Sequence, residues 1–162
     1  MDFFEDARKM LGSGIAVGAA AALVGCSDQI STETLNPAGP ITTTRLITMA
    51  GVFLVQGAIL DEYQHCGGPA GWLGEPIANE HTAPRDGRSG EFQHGNIYWT
   101  PRTGAHAIAG QILWTWNTTG GPAGPLGYPT SDPQPVPGGT QTRFEHGTIS
   151  DIDGHTDTHT TP

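Results

Sequence analysis

One motif is written twice in this chain. The run Gly67-Gly68-Pro69-Ala70-Gly71-Trp72-Leu73-Gly74-Glu75-Pro76 returns as Gly120-Gly121-Pro122-Ala123-Gly124-Pro125-Leu126-Gly127-Tyr128-Pro129, with eight of ten positions identical. An offset of 53 carries the match outward, so that eleven of the twenty-two positions from 57 to 78 agree. Repetition at a fixed period constrains architecture before any single residue does, because each copy must be a supersecondary unit that buries its apolar face against a neighbour.

Each copy follows one plan. After Gly57 the apolar residues Ile59, Leu60 and Tyr63 fall at helical spacing, and after Gly110 the equivalents Ile112, Leu113 and Trp116 do the same. Both helices are predicted to end at a glycine pair, Gly67-Gly68 or Gly120-Gly121, where glycine takes the left-handed conformation and Pro69 or Pro122 forbids continuation. The Leu-Gly-x-Pro segments, Leu73-Gly74-Glu75-Pro76 and Leu126-Gly127-Tyr128-Pro129, read as tight turns whose leucine plugs the core. A hairpin follows, from Glu91 across His94-Gly95-Asn96 to Thr100, and Phe144 to Ile149 repeats it at an offset of 52. The expected fold class is therefore an α+β repeat, with a short helix, a Leu-Gly-x-Pro turn and a β-hairpin in each unit of about 53 residues. Upstream, Gly51 to Gly57 falls on Gly104 to Gly110 and Arg45 to Thr48 on Tyr98 to Pro101, which marks an incomplete leading unit.

The expected division is a signal segment at 1–25, a flexible tether at 26–43, a repeat domain at 44–154 and a polar tail at 155–162 without structure of its own. Within the repeat domain the leading hairpin takes 44–56 and the two repeats take 57–109 and 110–154, the second ending in a degraded edge. Arg8 and Lys9 precede an uncharged run from Met10 to Gly25 that suits a cleaved leader, and the run ends in Leu23-Val24-Gly25-Cys26. This ending resembles a bacterial lipobox. The resemblance implies lipid attachment at Cys26 and a chain held outside the cytoplasmic membrane. The other cysteine, Cys66, has Thr119 as its counterpart, so the repeat does not need sulfur there, and a Cys26–Cys66 disulfide is the alternative to acylation.

Formal charge is −9, and beyond the leader five arginines face thirteen acids. That balance argues against a nucleic-acid partner. Glycine at 24 and proline at 13 residues leave room for only a modest core. The sequence contains no Gly-x-Ser-x-Gly, His-Glu-x-x-His or phosphate loop, so no catalytic residue, cofactor or metal site is expected. His94 and His146 recur at one repeat position, which points to a role in the turn. Asp151, Asp153 and Gly154 fit a cation loop only in part.

Taken together, the glycine pairs, the Leu-Gly-x-Pro turns and Gly95-Asn96-Ile97-Tyr98-Trp99 followed by Thr103-Gly104-Ala105-His106 resemble the LGFP repeat family of actinobacterial envelope proteins, over roughly residues 44–154. The family resemblance implies a noncatalytic module that holds proteins at the cell wall, found alone or attached to mycoloyltransferases and wall amidases. Its partners would be peptidoglycan or arabinogalactan, an envelope protein, and the membrane through the lipid anchor. Two positions depart from the family pattern: Glu75 stands where an aromatic is usual, and the second copy lacks the Tyr98-Trp99 pair.

Aromatic residues are the functional candidates, because flat apolar faces with polar edges suit stacking on sugar rings. Tyr63 and Trp116 share a position on the apolar helix face and are assigned to the core. Trp72 and Trp114 face Pro125 and Asp61 in the other copy, so the fold does not require them, and one of Tyr98 and Trp99 must point inward. Trp72, Tyr98, Trp99 and Trp114 are thus the glycan-binding or docking candidates. The alternative function is an accessory scaffold that docks on an envelope enzyme or membrane complex through its repeat edge.

Overall fold

Successive residues of a strand face opposite ways, so a sheet covered on both sides must be apolar at consecutive positions. Ile97 and Tyr98 satisfy this on one strand, and Ala107 and Ile108 on its neighbour. The computed structural model describes residues 43–48 and 51–161. The signal segment, Cys26 and the bulk of the expected tether lie outside the described residues.

Within those residues the fold is mostly β, with two α-helices and antiparallel sheets. A leading hairpin, β1 (Thr43–Thr48) and β2 (Gly51–Gln56), is followed by α1 (Gly57–His65). A four-stranded sheet comes next, built from β3 (His81–Ala83), β4 (Gly87–Phe92), β5 (Gly95–Thr100) and β6 (Gly104–Ala109). The order then recurs: α2 (Gly110–Thr118), and a second four-stranded sheet of β7 (Gln134–Val136), β8 (Gly139–Phe144), β9 (Gly147–Ile152) and β10 (His155–Thr160). Each helix is followed by four paired strands.

The layers stack as hairpin, helix, sheet, helix, sheet. One core cluster joins Leu46 and Val55 of the hairpin, Ile59, Leu60 and Tyr63 of α1, and Ile97 and Ala107 of the first sheet. A second joins Tyr98 and Ile108, on the opposite face of that sheet, to Ile112 and Trp116 of α2 and to Phe144 and Ile149 of the second sheet. The first sheet therefore has a helix on each face.

Helix ends and turns are set by the same residues in both copies. Gly67 and Gly120 lie at φ 97° and 108°, which stops each helix, and a single 3-10 turn containing Pro69 or Pro122 follows. Leu73 and Leu126 are fully buried. The Tyr63 hydroxyl donates to Gly74 O at 2.8 Å and the Trp116 indole N–H to Gly127 O at 2.9 Å, so one repeat position ties each helix to its turn. Gly74 and Gly127 have φ of 72° and 70°. A side chain on Gly74 would also meet the Gln93 carboxamide, and one on Gly127 the Glu145 carboxylate, and those two groups accept from the N–H of Glu75 and Tyr128. Pro76 and Pro129 then bridge to Phe92 and Phe144, adding the turn to the edge of the sheet.

Three sequence expectations are corrected. Residues 155–160, expected to lack structure, form β10 in full register with β9, and the Asp153-Gly154 turn with φ of 50° and 77° at its two positions makes the hairpin. Residues 150–154, read as a degraded edge, complete β9 and that turn. In the leading unit β1 aligns with β5 at an offset of 52 rather than 53. Leu46 lies opposite Phe53 as Tyr98 lies opposite His106, because the β1–β2 connection is one residue shorter than the β5–β6 connection. A slip of one residue exchanges the two faces of a strand, and this alignment puts Leu46 on the face that α1 covers.

Candidate functional site

The junction between the N terminus of a helix and the sheet that follows it occurs twice, with different fillings. In the first copy Gln56, Gly57, Ala58 and Ile59 lead into α1 and face Glu80, Arg88 and Trp99. Their counterparts in the second copy are Ala109, Gly110, Gln111 and Ile112, facing Pro133, Thr140 and Asp151. Arg88 and Glu80 form an ion pair whose carboxylate side is almost wholly buried. Glu80 also accepts the N–H of Gln56 at 3.1 Å, which fixes the pair across the junction. The pair divides the first junction into hollows of about 350 Å³ and 200 Å³, the smaller walled by Trp99.

In the second copy no such barrier stands. Pro133 and Thr140 replace Glu80 and Arg88, Asp151 replaces Trp99, and a single groove of about 590 Å³ results. This lies inside the roughly 300–1,000 Å³ range of small-molecule sites. Its far wall comes from the first copy: Glu62, His65 and Cys66 at the end of α1, and Trp72 from the turn beyond it.

Trp72 is 46% exposed, a large half-open aromatic surface. The thiol of Cys66 sits between Trp72 and Glu62: the Trp72 side chain hydrogen-bonds the sulfur, and Cys66 Sγ donates to Glu62 Oε1 at 3.4 Å. Both Cys66 and Trp72 are absent from the second copy, where Thr119 and Pro125 stand. Burial, with the Glu62 hydrogen bond and charge next, pushes the Cys66 thiol up to about 12, so it stays a neutral thiol.

Electrostatics at the groove are acidic and coupled. Asp132 Oδ1 accepts the Ala107 N–H at 2.9 Å, as Asn79 Oδ1 accepts the Leu54 N–H at 2.9 Å one copy earlier. Each contact satisfies the edge of the preceding strand, so this position is part of the scaffold. The charge at Asp132 is the change, and His106 Nδ1 lies 3.4 Å from it. Burial alone would raise the Asp132 carboxyl, but the His106 and Ala107 hydrogen bonds and the His106 charge outweigh burial and lower it. The Asp132 hydrogen bond raises His106 against the effect of its own burial. Glu62 is raised, first by burial and then by the negative charge of Asp132. Asp151 Oδ1 is buried with no hydrogen-bond partner among the described residues.

The aromatic candidates separate. Trp72 lines the groove. Trp99 packs half-buried against the first core and walls the smaller hollow. Trp114, 63% exposed on α2, is not among the groove residues, so the fold does not bring it together with Trp72. Tyr98 is corrected: at 6% exposure it stands in the second core, edge-on to Trp116 at 4.6 Å, and offers no ligand face. Glu62, Asp132, Gln134, Thr140 and Asp151 were not picked out by sequence as groove residues. The signal for three of the junction changes was present: Pro133 aligned on Glu80, Thr140 on Arg88 and Asp151 on Trp99.

His94 and His146 contribute through the main chain, their N–H groups donating to Leu73 O and Leu126 O, each at 3.0 Å. Among the described residues no group of three or more His, Cys, Asp and Glu side chains could hold a metal ion.

Glu75, where an aromatic was expected, is explained by what precedes it. In the second copy Tyr128 reaches back to the β3–β4 turn, its hydroxyl donating to Pro84 O, and it packs so closely that Gly87 cannot carry a side chain. The leading unit among the described residues is a hairpin with no β3–β4 turn, so an aromatic at 75 has nothing to reach. No curated protein matches the chain. Residues 73–124, from the first Leu-Gly-x-Pro turn through the first sheet and α2 into the second glycine motif, match the family model described as the LGFP repeat. Residues 73–124 are thus similar to an LGFP repeat.

Proposed function

We propose that the chain is a noncatalytic cell-envelope lipoprotein whose LGFP-like repeats, each an α+β unit of about 53 residues, hold it to cell-wall glycan, with peptidoglycan or arabinogalactan as the partner. The observation that carries this reading is the groove of about 590 Å³ that the second copy leaves undivided, with Trp72 exposed along its wall. A flat indole beside carboxylates, carboxamides and a hydroxyl is the surface a sugar chain needs: a stacking platform and hydrogen-bond partners for hydroxyls. Cys26 would carry the lipid, and the segment after it would let the repeats reach the wall. The high thiol pKa of Cys66 and the scaffold role of Asp132 support binding without turnover.

The test is retention. Full-length protein sediments with isolated actinobacterial wall material, Trp72→Ala lowers the retained fraction several-fold, and Trp114→Ala leaves it near the parent value. No retention of the parent protein removes the glycan reading.

A second reading, an accessory subunit docking on an envelope enzyme, is favoured by the outer face of the β1–β2 hairpin, where Ile47 and Val52 are 66% and 58% exposed. Cross-linking in native membranes decides for it if one stoichiometric protein partner is captured through that face and wall retention is absent.

A further inference from the structure

A concave site in which carboxylates outnumber basic side chains has a chemical preference, and the rest of the molecule sharpens it. Among the described residues no lysine or arginine lines the groove; its ionisable walls are Glu62, Asp132, Asp151, His65 and Cys66. Of the arginines along the other hollows, Arg85 and Arg102 pair with Glu145 and Arg88 with Glu80, while Arg45 lines the hollow of about 350 Å³. His106 meets Asp132, and His65 and His106 partly offset Glu62, so carboxylates outnumber the basic groups along the groove.

Three independent features point the same way. The aromatic wall is an indole, the side chain with the strongest attraction for a cation over its face. Asp151 lines the groove, and one of its carboxylate oxygens is buried without a donor among the described residues, so the fold itself satisfies its charge only in part. The groove is also large enough for more than one ring, and Gln111, Gln134 and Thr140 on its second-copy side supply neutral partners for hydroxyls. A polyanion would meet the same carboxylates and be repelled.

We propose that the groove selects a glycan carrying free amino groups, with an ammonium of the sugar set between Trp72 and the carboxylates of Asp151 and Glu62. The inference rests on the reading that this groove is the glycan-docking surface. A peptide ammonium would satisfy the carboxylates equally but leaves the indole face without a ring to stack on, so the amino sugar is the ligand class the whole surface fits.

The experiment compares two tetramers of one sugar backbone, one with free amines and one with every amine acetylated. Full-length protein in detergent is titrated calorimetrically with the β-1,4-linked tetramer of glucosamine and with its fully N-acetylated form, at mildly acidic pH and low salt. The amine form binds tighter by about tenfold or more, as expected of one charge-assisted contact. Asp151→Asn removes most of that preference. Asp157→Asn, which deletes one charge from the exposed strand β10, leaves it unchanged, and thermal melts confirm that both variants fold.

Equal binding of the two tetramers overturns the amino-sugar inference and leaves wall docking standing. Equal losses from Asp151→Asn and Asp157→Asn assign the preference to net charge and overturn it as well. Tetralysine binding as tightly as the glucosamine tetramer reassigns the groove to cationic peptides and overturns it too. Binding of neither tetramer overturns it, and retention on wall material then decides separately whether the docking reading survives.

Discussion

The two helix-to-sheet junctions share a backbone and differ most in the three side chains that fill or open the space, and the difference separates scaffold from function. In the first, Glu80 and Arg88 lock across the space and Trp99 fills what remains. In the second, Pro133, Thr140 and Asp151 leave it open, and the wall opposite gains Trp72 and Cys66, which have no counterparts in the second copy. Because one fold accepts both fillings, neither is required for folding. The open version also leaves a carboxylate oxygen unpartnered, a cost that packing does not explain.

What the copies share is where stability is concentrated, and that is where substitutions act most strongly. Leu73→Ala and Leu126→Ala each remove a fully buried side chain from the equivalent turn and are expected to cost about 3 kcal/mol each by urea unfolding. Unequal losses, with one near zero, would break the equivalence of the two cores. Tyr128→Phe deletes the hydroxyl that donates to Pro84 O, with an expected cost of about 1 kcal/mol. Glu75→Tyr brings no matching gain, since no β3–β4 turn precedes it among the described residues; a rise in melting temperature would contradict the docking role assigned to that aromatic.

Acidity gives a smaller effect, centred on the groove where the two copies meet. His106 is raised by Asp132, so its contribution is complete below its unfolded value and is lost as pH rises through the higher folded value. Glu62, raised by burial and Asp132, weakens in the same direction. Asp132 is lowered, so its contribution is present above its unfolded value and is lost as pH falls through the lower folded one. The melting temperature is therefore highest between about pH 4 and about pH 6.5 and declines toward alkaline pH. The alkaline decline shrinks in Asp132→Asn, which keeps the acceptor as Asn79 does. An unchanged decline in that variant removes Asp132 from the account.

The offset of the twin motifs made the helices, their glycine stops, the Leu-Gly-x-Pro turns and the central hairpin legible, because each depends on local backbone chemistry. The short strands β3 and β7 were not, since three residues carry too little alternation to register. Strand β10 was missed for a different reason: His155-Thr156-Asp157-Thr158-His159-Thr160 is exposed throughout, so pairing alone orders it, and the Asp153-Gly154 turn was the one available signal. Tyr98 and Trp99 could not be told apart, as the sheet between them is covered on both faces and both sides accept an aromatic. The groove was out of reach because two of its walls come from different copies, and sequence places Trp72 and Asp151 far apart.

The account stands most directly on the claim that the undivided groove is the binding surface. The measurement is wall retention of the variant Pro133→Glu, Thr140→Arg, Asp151→Trp, which gives the second junction the ion pair and indole that fill the first while leaving Trp72 in place. The account predicts a parent-like melting temperature with retention reduced to background; retention equal to the parent in that folded variant would contradict it.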